Sequence, residues 1–76
     1  MEDYIINVKN IEEMQMINDV KGLDSIFQRA KVILVGGGTV AVVRHQRDGQ
    51  VDRIEEFTNL DDLATYQKRV YKYINR

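Results

Sequence analysis

Residues 32–41 read VILVGGGTVA, an apolar run followed by three glycines and a second apolar run. The spacing Gly36-x-Gly38-x-x-Ala41 matches the glycine fingerprint of dinucleotide-binding proteins, in which a strand leads through the glycines into a helix. The structure that forms on either side of the glycines therefore decides the fold of this chain and one of its candidate functions.

The residues after the glycines favour a strand instead of the helix that a phosphate-binding loop requires. Thr39–Val43 contains four β-branched residues in five, a composition that suits strands and disfavours helices. Glu55 and Glu56 lie about 20 positions beyond the first glycine, where the fingerprint has its ribose-binding acid. However, the turn signal Asp48-Gly49 leaves too few residues for a crossover helix. Nucleotide binding at Gly36–Gly38 is therefore the least favoured of three functional hypotheses.

The glycine run is predicted instead to join two strands of an antiparallel three-stranded meander. The meander covers residues 31–57, with strands near 31–35, 39–47 and 50–57, and Asp48-Gly49 closes its second hairpin. Glycine suits the first turn because it adopts positive φ at little steric cost. We expect replacement of Gly37 by valine to damage folding.

A two-residue turn at Asp48-Gly49 fixes the predicted register and the faces of the sheet. It places Val42 opposite Glu55 and His45 opposite Asp52. One face is then expected to carry Val32, Leu34, Val40, Val42, Val51 and Phe57, and the other Ile33, Val35, Ala41, Val43 and Ile54. Because neither face is polar, we expect helices or another subunit to cover both.

Along the chain, helices are predicted before and after the meander. An N-terminal strand over Tyr4–Val8 precedes the first of them. Asn10 with Glu13 three residues later predicts a helix start, and Gly22 predicts its end. A second helical piece is predicted from Asp24 or Ser25, with a single kinked helix as the alternative. In the C-terminal segment, the cap residues Thr58 and Asn59, the acids Asp61 and Asp62 and the helical spacing of the apolar residues predict a long helix.

Together these elements predict a two-layer α+β fold of the order β-α-(α)-β-β-β-α. The C-terminal helix is expected to pack on the sheet, and residues 1–76 are expected to form a single small domain. The chain has no cysteine, the start Met1-Glu2-Asp3 is acidic, and no apolar run is long enough for a membrane span. We therefore expect a cytoplasmic protein without a membrane-spanning segment.

No group of residues in the sequence points firmly to catalysis, a metal or a cofactor. His45 is the only histidine, and its predicted partner Asp52 resembles a base with an orienting carboxylate, but no nucleophile can be placed beside them. The acidic pairs Glu12-Glu13, Glu55-Glu56 and Asp61-Asp62 do not follow a calcium-loop pattern. We therefore expect no enzymatic activity, no cofactor and no metal site.

Two surfaces are candidates for binding a partner. Tyr66 and Tyr73 lie seven residues apart at the edge of the apolar stripe of the last helix, where amphipathic rings suit a protein interface. Arg44, Arg47 and Arg53 lie around the second hairpin, where a basic patch could contact nucleic-acid phosphates. The favoured hypothesis is a protein-protein interaction or self-associating module, with a homodimer as one form. Nucleic-acid binding through the arginines is the alternative.

Overall fold

The computed structural model describes residues 3–74, and Met1, Glu2, Asn75 and Arg76 lie outside the described residues. Its helices and strands, in chain order, are β1 (Asp3–Asn7), α1 (Val8–Met16), α2 (Val20–Val35), β2 (Thr39–His45), β3 (Val51–Phe57) and α3 (Leu60–Lys72). The predicted α+β class is confirmed.

The sheet formed by the described residues is mixed, not a meander. Its strand order is β1-β2-β3, in which β1 runs parallel to β2 and β3 runs antiparallel to it. The prediction that residues 31–35 form the first strand of the meander is wrong, because these residues form the last turns of α2. The N-terminal strand takes the place beside β2 that was predicted for them.

Residues 31–35 are helical because they continue the apolar period of α2. Leu23, Phe27, Ala30 and Leu34 are buried at the helical spacing of four, three and four residues. The β-branched Val32, which suggested a strand, is exposed on the outer side of the helix. Packing of Leu34 into the core therefore outweighs the local strand propensity of this run.

The glycines after α2 form its C-terminal cap. The Gly37 N–H donates to the Leu34 carbonyl at 3.1 Å, and the Gly38 N–H donates to the Ile33 carbonyl at 2.9 Å. Gly37 has a φ of +88°, so this pair of bonds is the Schellman arrangement with glycine in the left-handed region. The predicted positive φ is confirmed, but the turn joins a helix to a strand instead of two strands.

The two predicted N-terminal helices are present as separate helices, with earlier starts than expected. The cap of α1 is Asn7, whose Oδ1 accepts from the Lys9 N–H at 3.0 Å. The cap of α2 is Asp19, whose side chain accepts from the Gly22 N–H at 2.9 Å, so Gly22 lies inside α2 instead of ending α1. The predicted cap of the last helix is confirmed, because Asn59 accepts from the Asp62 N–H at 2.8 Å.

The register of the β2–β3 hairpin agrees with the prediction far from the turn and differs from it near the turn. Val42 lies opposite Glu55, as predicted, but an irregularity in β3 then places Val43 opposite Arg53. This bulge leaves Ile54 as the extra residue. The predicted pairing of His45 with Asp52 is therefore wrong, because His45 lies opposite Val51.

The turn of this hairpin is longer than the two residues predicted. The Gln46 N–H donates to the Gln50 carbonyl at 2.7 Å, which closes a loop over residues 46–50. Gly49 within it has a φ of +90°, which explains a glycine at this position. The turn signal was therefore located correctly, while the loop length and the register near it were not.

All helices in residues 3–74 contribute to one core on one face of the sheet, which gives the predicted two layers. The Cα positions span 35 × 32 × 16 Å, and the short dimension suits one sheet and one helical layer. C-terminal residues of α3 and the following turn take part in this core. The core residues are Ile6, Ile11, Leu23, Phe27, Ala30, Leu34, Val40, Val42, Phe57, Leu63, Val70 and Ile74.

Candidate interaction surfaces

The face of the sheet that the helices leave uncovered is apolar at its centre. Ala41 and Val43 are 3% and 2% exposed, yet neither belongs to the helix-covered core. They alternate along β2 with Val40 and Val42, which do belong to it, so they lie on the opposite face. We call this surface the open sheet face.

Neighbouring strands supply the rest of the open sheet face. Ile5 on β1 lies opposite Ala41 and is 49% exposed. On β3, the bulge residue Ile54 is 46% exposed and lies between Arg53, which is opposite Val43, and Glu55, whose side chain reaches Arg69 of α3 at 3.2 Å. Beyond the bulge, Val51 lies opposite His45 on the same side. The apolar residues of the open sheet face are Ile5, Ala41, Val43 and Val51, and the bulge residue Ile54 borders them.

Charges on the open sheet face are separated along the strands. Asp3 lies at the end where β2 begins, and Thr39 donates a hydrogen bond to it. Glu56 lies opposite Ala41 on the same half of the face, whereas Arg53 lies opposite Val43 on the other half. Arg53 and Glu56 pair at 2.8 Å within the chain and both stay exposed. The face is therefore acidic on the half where β2 begins and basic on the half where it ends.

The second surface is a groove of about 280 Å³ between α1 and α3. It contains both predicted tyrosines, Tyr66 and Tyr73, so the structure brings together the residues of the predicted tyrosine edge. The two differ in burial, because Tyr66 contacts Phe27 and Phe57 while Tyr73 is 72% exposed. Ile11 forms part of the apolar floor of the groove.

Charged side chains around this groove are paired across to the sheet. Glu12 of α1 pairs with Arg44 of β2 at 3.3 Å. Arg69 of α3 lies over the Tyr66 ring, with its guanidinium carbon 5.4 Å from the ring centroid. Burial, and then the nearby Glu55 carboxylate, raises the pKa of Tyr66. The ion pairs Glu12–Arg44 and Arg69–Glu55 connect α1 and α3 to the strands. The charged residues of the groove therefore have structural roles that require no ligand.

The three arginines of the predicted basic patch do not share one surface. Arg44 lies on the helix side of the sheet, where it pairs with Glu12. Arg53 lies on the open sheet face with Glu56, and Arg47 lies in the 46–50 loop. The cluster proposed for nucleic-acid phosphates is thus divided between the two faces and the loop.

The glycine run and His45 lack the surroundings that their candidate chemistry needs. Gly36–Gly38 follow the C-terminal end of α2, where carbonyls point outward, whereas a phosphate is held at a helix N-terminus. His45 is exposed, and the Asp52 side chain accepts from Gln46 Nε2 at 2.6 Å. The histidine therefore has no orienting contact with the carboxylate that was predicted opposite it.

Within residues 3–74, no three histidine or acidic side chains converge on a common point where a metal could bind, and none of the helices has the length and hydropathy to cross a bilayer. The expectations that the protein is not an enzyme, uses no cofactor and resides in the cytoplasm stay predictions.

The open sheet face could be predicted only in part. Ala41 and Val43 share a face, as predicted, and Val40, Val42 and Phe57 share the other. The position of Ile5 was not predicted, since no face was assigned to the N-terminal strand, and the predicted side of Val51 is wrong because of the bulge. Comparison of the chain with protein-family models, curated proteins and solved structures finds no match.

Proposed function

We propose that this protein is a small non-enzymatic module that self-associates, with a second copy bound at the open sheet face. The observation that carries this proposal is the position of Ala41 and Val43. They form the apolar centre of the sheet on the side away from α1, α2 and α3. An antiparallel or mixed sheet that meets water on one side ordinarily carries polar residues there.

The side chains around this centre would gain from being covered. Ile5, Val51 and Ile54 are 49%, 50% and 46% exposed, so each has about half of its surface left to bury. Burying the remainder would contribute roughly 1 kcal/mol for each such side chain. Two sheets that pack face to face, about 10 Å apart, interdigitate side chains of this kind.

A second copy is the occupant that the charges favour. A two-fold symmetric dimer brings the same patch of each copy together, so the patch must complement itself. The open sheet face meets this requirement because its acidic and basic halves lie on either side of one apolar centre. Asp3 and Glu56 lie on one half, and Arg53 lies on the other.

The size of the face predicts a weak dimer. Three strands, one of five residues and two of seven, cover at most roughly 14 × 24 Å, or about 340 Å² of flat area. Stable complexes bury about 800 Å² of accessible surface on each partner. We therefore expect self-association in the range of about 10 µM to 1 mM rather than at nanomolar concentration.

Sedimentation equilibrium across that concentration range tests the proposal. We expect the wild-type chain to pass from monomer to dimer, and Val51→Gln to shift this transition to higher concentration. The matched control is Val32→Gln, which changes a side chain of similar exposure, 59%, on the outer side of α2. A wild-type chain that stays monomeric throughout, or equal effects of the two variants, would contradict the proposal.

A further inference from the structure

We infer that the two copies meet with their strands antiparallel, so that Glu56 of each copy faces Arg53 of the other. This inference rests on the self-association proposed above and adds its orientation. It follows from where the register places three charged side chains on the open sheet face: Asp3, Arg53 and Glu56.

Two symmetric arrangements bring one open sheet face against another with the strands of the two copies aligned. A two-fold axis that lies parallel to the strands superposes β1 of one copy on β3 of the other and leaves β2 running in the same direction in both copies. An axis across the strands superposes each strand on its own copy, with strands running in opposite directions. Both are isologous contacts, so geometry alone allows either.

The parallel arrangement brings like charges together. Asp3 pairs with Thr39 in register, and Glu56 pairs with Ala41, so both acids lie on the half of the face where β2 begins. Because β2 runs in the same direction in both copies, this superposition places Asp3 of one copy near Glu56 of the other. Like charges placed against one another in this way disfavour an interface.

The antiparallel arrangement brings opposite charges together. Arg53 lies opposite Val43 and Glu56 opposite Ala41, so they are placed symmetrically about the position of Val42 in the strand direction. Superposing β3 on its own copy in the opposite direction therefore places Glu56 over Arg53, twice in each dimer. Ala41 and Val43 stay together at the centre in this arrangement.

Charge reversal at these two positions distinguishes the arrangements. In the antiparallel dimer, Arg53→Glu and Glu56→Arg each place like charges against one another at two symmetric sites. We expect each variant alone to weaken self-association about tenfold, and an equimolar mixture of the two variants to restore it as a heterodimer. The mixture restores it because every facing pair is then one acid and one base.

Controls with the same change in net charge are Lys31→Glu for Arg53→Glu and Glu13→Arg for Glu56→Arg, both at exposed positions on helices. Sedimentation equilibrium gives the dissociation constants, and circular dichroism checks that each variant folds. Tighter self-association of Glu56→Arg would indicate the parallel arrangement, since the new arginine would face Asp3, and it would overturn the inference while leaving the proposed self-association intact. A wild-type chain that never dimerises would instead overturn the proposed function itself.

Discussion

Val42 and Val43 are neighbours in β2, and both are almost fully buried, but their side chains lie on opposite faces of the sheet. Val42 is 0% exposed and belongs to the core beneath the helices, whereas Val43 is 2% exposed and lies outside it. Asn7 of β1 and Arg53 of β3 flank Val43 in the register. Equal burial therefore has two different origins in these two residues.

This difference predicts unequal effects of the same substitution. Val42→Ala leaves a cavity among packed core residues, so we expect the free energy of unfolding to fall by about 2 kcal/mol. Val43→Ala should cost less than about 1 kcal/mol in the monomer, because its neighbours on the open face can move over the smaller side chain. Urea denaturation at low protein concentration measures both, and equal losses would contradict the assignment of the two faces.

The glycine cap of α2 predicts that two adjacent glycines respond in opposite ways. Gly37 has a φ of +88°, so Gly37→Ala should reduce the free energy of unfolding by about 1 kcal/mol, and Gly37→Val by more. Gly36 has a φ of −78°, and an added Cβ would lie 3.5 Å from the Val32 carbonyl oxygen, an ordinary contact. Gly36→Ala should therefore be neutral or slightly stabilising, because alanine restricts the unfolded chain. Thermal unfolding measures the stability of both variants. A Gly36→Ala variant that is less stable than Gly37→Ala would contradict the assigned cap.

The contact between Tyr71 and Asp24 predicts a loss of stability in alkaline solution. Burial, and then the hydrogen bond that the phenol donates to Asp24, raises the pKa of Tyr71 to about 12. Tyrosine in an unfolded chain has a pKa of about 10, so the folded state favours the protonated phenol. Its contribution is fully present below about pH 10 and is lost as the pH rises through about 12.

We therefore expect Tyr71→Phe to flatten the fall in the free energy of unfolding between about pH 10 and pH 12. The control is Tyr73→Phe, which removes a phenol from a side chain that is 72% exposed. Urea denaturation at several pH values in this window measures the slopes. A Tyr71→Phe slope equal to that of the wild type would show that the contact does not contribute.

Leu34 shows which part of the fold could have been predicted more accurately. Its run of branched apolar residues predicted a strand, but Leu34 also continues the spacing of Leu23, Phe27 and Ala30. A helical period extending over three turns was therefore present in the sequence. It was hidden because local β-branched composition and helical periodicity point to different structures in residues 32–35.

The bulge at Ile54 could not have been predicted in the same way. No glycine or other turn residue marks it, and the flanking residues fit an unbroken strand as well. It changes the register by one position, which moves Val51 to the open sheet face and separates His45 from Asp52. The candidate histidine pair depended on this register, and so its prediction failed with it.

The sequence by itself determined the α+β class, the strand after the glycines, a positive φ within the Gly36–Gly38 run and the capped C-terminal helix. These features depend on local chemistry: cap side chains, the conformational freedom of glycine and the period of apolar residues. Only the tertiary structure decided that residues 31–35 are helical, that β1 lies beside β2 and that all helices of the described chain cover one face. These outcomes depend on which apolar surfaces bury one another, a balance between residues far apart in the chain that no short stretch contains.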